Sequence, residues 1–144
     1  MKNKSLKNER IKKAVDVLFT GLIRTPEMFK QTIADLENLR KEGLVNQILL
    51  STWFGEVEKH PDIQEFLNKH DIKIIRSEEP KPRGTLRSPT IWCQMKALEA
   101  GLSNIEKDRF VLKTRADVYI NPKFLRKLFR EKKSLLRITK NLPK

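Results

Sequence analysis

The sequence is poor in cysteine and histidine and has no long apolar run, and each shortage excludes a class of protein. Cys93 is the single cysteine, so no internal disulfide can form and a cysteine-based metal cluster is excluded; we expect a small, buried side chain there. His60 and His70 have no companion at the spacing of metal ligands. No segment approaches the roughly 20 apolar residues that a membrane span needs, and we expect a cytoplasmic protein.

Two common nucleotide-binding signatures are also missing. The loop after the first predicted strand contains Gly21 alone instead of a glycine-rich fingerprint, and no Gly-Lys-Ser or Gly-Lys-Thr sequence occurs. Dinucleotide binding and P-loop chemistry are therefore disfavoured. The candidate site also offers no plausible Ser/His/Asp set and no Cys/His pair, which disfavours nucleophilic hydrolysis.

The formal net charge of +13 belongs to the two ends of the chain. Residues 1–13 carry six Lys and Arg against Glu9, and residues 121–144 carry nine against Glu131, whereas the interval 14–120 is neutral. A domain that binds duplex nucleic acid normally places its basic residues across a folded face, so this distribution makes nucleic acid an unexpected partner. Basic ends suit acidic lipid, nucleic acid or an acidic partner, or they simply aid solubility.

The length of 144 residues and the hydrophobic content of 38% suit one domain with its own core. We expect a basic flexible N-terminus at 1–13, an α/β domain at 14–131 and a basic C-terminal tail at 132–144.

Strand and helix patterns alternate four times along the domain. Short apolar runs predict strands at 15–19, 44–50, 72–75 and 110–114. Helices are predicted to begin at the proline-containing signals Thr25-Pro26, Pro61, Ser88-Pro89 and Asn121-Pro122. Gly43 and Gly101 are predicted to mark helix ends. The stretch 76–87 contains two prolines and one glycine without periodicity, which indicates a loop that is functional or disordered.

This alternation predicts a three-layer α/β sandwich with a mainly parallel sheet. With right-handed crossovers and the strand order 3-2-1-4, the first and fourth strands are neighbours and the order reverses between them. Ligands bind outside the carboxyl ends of the strands at such a point. The residues that would face one another across this crevice are Thr20, Gly21 and Arg24 on one side and Lys113, Arg115 and Asp117 on the other.

The fourth strand begins the stretch Phe110–Ile120, FVLKTRADVYI, where an apolar run turns into a charged cluster. One carboxylate among cations suits a diphosphate, because Mg²⁺ or Mn²⁺ is commonly held by one or two carboxylates and the phosphates themselves. Arg24 and Arg115 suit forked pairing with phosphate oxygens. The alternative is a strand end whose charges are simply solvated.

A second polar and aromatic cluster, Ser51-Thr52-Trp53, follows the second predicted strand. The Trp53 ring suits stacking on a base, although an aromatic side chain at the end of a strand more often serves packing.

Four segments carry a resemblance to a known family: VLFTGLIRTPE, ILLSTWFGE, WCQMKALEAGL and FVLKTRADVYI. In this order and at this spacing they resemble the nucleotide-binding half of WavE-type lipopolysaccharide-synthesis glycosyltransferases, over residues 14–130. The resemblance implies a GT-A-like fold, a nucleotide-activated sugar as donor, a divalent metal, a glycan or lipid-linked acceptor, and a place at the inner face of the membrane. It implies a function in lipopolysaccharide or surface polysaccharide synthesis.

The resemblance also implies roles for individual residues. Asp117 matches the metal-side carboxylate of the family motif, and Lys113 and Arg115 match its basic flank. The remaining matches lie in the first-strand loop, the second-strand loop and the helix before the motif, near the donor: Thr20, Arg24, Ser51, Thr52, Trp53 and Gln94.

The sequence departs from the family at two points. The usual Asp-x-Asp motif is Arg115-x-Asp117 here, so a cation is expected to replace part of the metal. No residue after 120 suits the role of catalytic base, and we expect a glycosyltransferase or its donor-binding portion. The alternative is a non-catalytic nucleotide-fold module whose basic tails contact nucleic acid or an acidic partner.

Overall fold

The computed structural model describes residues 14–79, 89–132 and 135–137 of the chain. The predicted N-terminus, residues 80–87 of the predicted loop, Ser88 and most of the predicted tail lie outside these residues. The strands are β1 (Val15–Thr20), β2 (Val45–Trp53), β3 (Lys73–Ser77), β4 (Phe110–Arg115) and β5 (Leu136–Arg137). The helices are α1 (Pro26–Lys41), α2 (Pro61–Lys69), α3 (Pro89–Leu102) and α4 (Pro122–Glu131).

The five strands form one sheet in the order β3-β2-β1-β4-β5. The four strands β1 to β4 run parallel, and the predicted order 3-2-1-4 is confirmed. Thr20 pairs with Ser51 on one side and with Arg115 on the other, so β1, β2 and β4 reach their carboxyl edge at the same level. The crevice expected between the first and fourth strands therefore lies at a point where neighbouring strand ends meet.

The fifth strand was not predicted. Leu136 and Arg137 pair antiparallel with Val111 and Phe110 at the beginning of β4. Two residues are too few to show an alternation of apolar and polar side chains. They form a strand because the edge of β4 offers unpaired backbone groups.

Side chains of a strand alternate between the two faces of the sheet. Phe19 and Leu50 face the larger core, which α1, α2 and α4 cover. Leu18, Leu49 and Val111 face the smaller core beneath α3. Helices therefore cover both faces, and the predicted three-layer sandwich is confirmed.

The helices begin where the proline signals predict. Pro26, Pro61 and Pro122 stand at the first positions of α1, α2 and α4. The Asn121 side chain accepts a hydrogen bond from the Lys123 backbone N–H at 2.8 Å, whereas Thr25 makes no side-chain cap. Among the described helices, none is long and apolar enough to cross a membrane.

Two glycines predicted as helix ends serve different purposes. Gly43 follows α1 with φ of +83°, a left-handed conformation that glycine adopts without steric cost. Gly101 lies inside α3, one residue before its end, and the predicted role is wrong. A Cβ atom there would lie 2.6 Å from Leu18 Cδ1, so the missing side chain lets α3 pack closely on β1.

A buried ion pair joins three strands at the amino edge of the sheet. Arg109 donates to the Asp16 carboxylate through Nε at 3.2 Å and Nη2 at 3.0 Å. Asn46 and Gln47 also donate their side-chain amides to Asp16, at 3.0 and 3.2 Å. β2 has one extra residue opposite β1 here, since Val15 pairs with Val45 but Val17 with Ile48. This bulge brings Asn46 and Gln47 to the same carboxylate.

We expect Asp16→Ala to lower the free energy of unfolding by about 3–5 kcal/mol, because it leaves the Arg109 guanidinium buried without its counter-charge. Urea denaturation followed by circular dichroism measures the change. Asp117→Ala is the matched control, with an expected loss of about 0–1 kcal/mol, because its partners are solvent-exposed arginines. Equal stabilities of the two variants would contradict this role of Asp16.

Candidate functional site

A cavity of about 260 Å³ opens at the carboxyl edge of the sheet. Its walls come from the loop after β1, the end of β2, the residues after β3, the first half of α3 and the end of β4. The lining residues are Thr20, Gly21, Leu22, Arg24, Trp53, Glu79, Cys93, Gln94, Arg115 and Asp117. The cavity thus occupies the crevice that the strand order predicts.

Backbone hydrogen bonds continue past the strands and hold the loops of the cavity in place. Gly21 N–H donates to Ser51 C=O at 3.2 Å, and Ala116 N–H donates to Thr20 C=O at 3.2 Å. The Thr52 hydroxyl donates to Gly21 C=O at 2.9 Å. Gly21 has φ of +100°, which L side chains rarely adopt, so this position requires glycine for the turn out of β1.

Asp117 gathers two arginines at the mouth of the cavity. Its Oδ2 atom lies 2.7 Å from Arg115 Nη2 and 4.0 Å from Arg24 Nε. The arginine side chains are 46% and 65% exposed, whereas that of Asp117 is only 16% exposed. Two guanidinium groups against one carboxylate leave a local excess of positive charge around Asp117, which favours an anionic ligand there. Over the whole cavity lining, Glu79 balances this excess.

Seven of the ten predicted site residues line this cavity: Thr20, Gly21, Arg24, Trp53, Gln94, Arg115 and Asp117. Trp53 is only 5% exposed, so most of its ring packs inside the protein and only a small part reaches the cavity.

The other three predicted residues do not line the cavity. The buried Ser51 hydroxyl donates to Ala97 C=O at 2.7 Å, which ties β2 to α3. Thr52 is also buried and holds the turn at Gly21 through its hydroxyl. Lys113 is half-buried and pairs with Leu18 in the middle of the β1–β4 ladder, short of the carboxyl edge. The structure thus gives Ser51 and Thr52 supporting positions behind the cavity wall.

Three lining residues were missed from the sequence: Leu22, Glu79 and Cys93. Glu79 lies in the segment predicted as a functional or disordered loop, and that loop was the signal that could have found it. Cys93 directly precedes Gln94 in the first half of α3, but a lone cysteine looks like a core residue in the sequence. It is in fact half-buried at the cavity wall.

Burial raises the pKa of the Cys93 thiol, and the nearby charge of Glu79 raises it further. A raised pKa means a smaller thiolate fraction at neutral pH, and the thiolate is the nucleophile. The cysteine therefore contributes a neutral thiol to the cavity wall.

We expect Cys93 to react with iodoacetamide at pH 7 more slowly than free cysteine does. The midpoint of its rate increase should lie at a higher pH than that of free cysteine. Because the sequence contains one cysteine, mass spectrometry can follow the reaction rate across pH. Glu79→Gln removes the second cause of the shift, so its profile should move to lower pH. A wild-type midpoint below that of free cysteine would contradict the raised pKa.

A divalent metal would find few protein ligands in this cavity. Within residues 14–79, 89–132 and 135–137, no group of three His, Cys, Asp or Glu could hold a metal ion. Asp117 Oδ1 is buried and has no hydrogen-bond partner in the described part of the chain, whereas Oδ2 binds Arg115. Because Oδ1 is buried, Asp117 could offer this oxygen to Mg²⁺ or Mn²⁺ only if its side chain turned toward the cavity, where phosphate oxygens and water would supply the remaining ligands.

Comparison with known proteins adds no family to this geometry. No protein-family model matches the chain. Curated proteins give no significant match either. The functional interpretation therefore rests on the cavity, its two arginines and Asp117.

Proposed function

We propose that the cavity binds the diphosphate of a nucleotide-activated sugar, and that the chain is a glycosyltransferase, or the donor-binding portion of one, in lipopolysaccharide or surface polysaccharide synthesis. The observation that carries the proposal is the pair Arg24 and Arg115, held by Asp117 at the carboxyl edge between β1 and β4. The resemblance of the sequence to WavE-type glycosyltransferases supports the same ligand. The acceptor would be a glycan or a lipid-linked glycan.

The arginine pair suits a diphosphate for a geometric reason. A guanidinium group presents five N–H donors in a planar fork, and the contact with Asp117 engages only part of them. The donors that remain can form hydrogen bonds to phosphate oxygens. These hydrogen bonds are stronger than neutral ones because both partners are charged. During transfer, the same two cations would stabilise the negative charge that develops on the departing nucleoside diphosphate.

The size of the cavity limits what it holds. Sites for complete small ligands usually measure about 300–1,000 Å³. A cavity of about 260 Å³ suits the diphosphate with an adjoining group, while the rest of the donor would extend into the open mouth.

A divalent metal remains part of the proposal, with Asp117 as its protein ligand once the carboxylate turns toward the cavity. When bound, Mn²⁺ or Mg²⁺ would neutralise phosphate charge. Arg115 stands where the related motif has an acidic residue, and its guanidinium supplies positive charge without a metal. Two arginines and one metal ion would thus share the neutralisation of the negative charge on the diphosphate.

The alternative is a non-catalytic module whose basic ends hold nucleic acid or an acidic partner. β1 begins at Val15, and the described part of the chain ends at Arg137. Both residues pair with Phe110, at the amino edge of the sheet. The cavity lies at the opposite edge. The points at which the described chain leads toward its two basic ends therefore lie at the edge away from the cavity.

We expect Arg24→Ala and Arg115→Ala each to weaken binding of a nucleoside diphosphate by about tenfold or more, because each removes a charged donor pair to phosphate. Calorimetric titration with UDP, GDP and CDP measures the affinity. Arg76→Ala is the matched control, since Arg76 pairs with Glu58 outside the cavity and its loss should leave binding unchanged. Undiminished binding in both cavity variants would overturn the proposal.

We expect Mn²⁺ to tighten nucleoside diphosphate binding by the wild-type chain and Asp117→Ala to lose that increment while keeping the fold. The physical reason is that the variant removes the protein oxygen available to the metal. Titration with and without Mn²⁺ separates this effect from the contribution of the arginines. Wild-type affinity for the metal-loaded diphosphate in Asp117→Ala would show that Asp117 does not hold the metal.

A further inference from the structure

Exposed apolar side chains are concentrated at one edge of the molecule. Among the described residues the large exposed ones are Leu22, Met28, Phe54, Met95, Val118, Tyr119 and Phe124. Six of these seven, all but Met95, lie in loops that follow a strand or in the first turn of a helix, and thus at the carboxyl edge of the sheet. Such a concentration marks a surface that meets another body, because scattered apolar residues would need no explanation.

Charge divides this edge into two halves. On the half formed by β2 and β3, Phe54 is exposed, and the exposed acids Glu58, Glu78 and Glu79 outnumber the exposed Lys59. On the half formed by β1 and β4, the side chains of Lys123 and Lys127 are exposed beside the apolar ones, and the exposed acid is Glu27. We name the second half the basic-apolar surface, formed by Leu22, Val118, Tyr119, Lys123, Phe124 and Lys127.

Two structural connections join the parts of this surface. The loop of Leu22 meets the loop of Val118 and Tyr119, because Arg24 Nε lies 4.0 Å from Asp117 Oδ2. The second loop leads directly through the Asn121 cap into α4.

Helix geometry places the α4 residues of the surface on one side. Leu125 and Phe129 are buried in the core. At 3.6 residues per turn, Lys123, Phe124 and Lys127 lie on the opposite side of α4, toward solvent. Phe124, unlike Leu125 and Phe129, is 59% exposed.

We propose that the basic-apolar surface binds the anionic face of a lipid bilayer. Tyr and Phe side chains with neighbouring lysines are the combination that lies at the boundary between headgroups and acyl chains, with the cations against anionic headgroups. The aliphatic Leu22 and Val118 cannot stack on bases, which favours lipid over nucleic acid as the anionic partner. Leu22 also lines the cavity, so bound lipid would lie beside the cavity mouth.

Flotation of the full chain with vesicles tests the proposal. The wild-type chain should float with phosphatidylcholine vesicles that contain phosphatidylserine and not with pure phosphatidylcholine. Lys123→Glu combined with Lys127→Glu should lower the partition coefficient by about tenfold or more, because each lysine near an anionic surface contributes appreciably to attraction.

The matched control is Lys69→Glu combined with Lys107→Glu, which changes net charge equally at two exposed positions away from this surface. This control should retain most vesicle binding. An equal loss in the two double variants, or no vesicle binding by the wild-type chain, would overturn the proposal. Preference for an RNA oligomer over vesicles, abolished by the same Lys123 and Lys127 changes, would assign the surface to nucleic acid and overturn it as well.

A second measurement tests insertion of the apolar side chains. Tyr119→Trp should show fluorescence quenching by brominated lipid beyond that of the wild-type chain, whose Trp53 is buried and Trp92 half-buried. Binding without added quenching would overturn the apolar part of the proposal. Nucleoside diphosphate binding is measured without vesicles, so failure here leaves the function proposed for the cavity standing on its own test.

Discussion

The buried pair between Asp16 and Arg109 fixes the arrangement on which the candidate site depends. One carboxylate in β1 receives hydrogen bonds from Arg109, just before β4, and from Asn46 and Gln47 in the bulge of β2. A charge buried this deeply is tolerated only when all its partners are in place. The pair therefore selects one relative position of the three strands at their amino ends, and parallel pairing carries that position to the other edge.

The register set at the amino edge decides which residues meet at the carboxyl edge. Thr20 lies level with Ser51 and Arg115, and the chains then turn outward at Gly21 and at Ala116. A shift of one residue would move every following side chain to the other face. The buried pair of Asp16 and Arg109 thus lies at one end of the strands, and Arg24 and Arg115 lie at the other end. The buried pair stabilises the fold, while the two exposed arginines can contact a ligand.

Local pattern predicted much of the fold and of the site, and the failures have a common cause. Apolar runs and proline signals located the strands and helices, because these are short-range signals. The strand order and most of the cavity lining then followed from the rules for parallel sheets. Leu136 and Arg137 were missed, since their strand exists only through its pairing with β4. Gly101 was taken for a helix end, but its close contact with Leu18 is a feature of packing between a helix and a strand distant in the chain.

By itself the sequence placed the excess positive charge at the chain ends, and it determined the alternation of strands and helices and the grouping of Thr20, Arg24, Arg115 and Asp117. These follow from periodicity and from the rule that parallel strands end together at one edge. Only the tertiary structure decided which side chains reach the cavity. It buried Ser51 and Thr52, brought Cys93 and Glu79 to the wall and exposed Phe124, because burial depends on contacts between elements that sequence spacing does not contain.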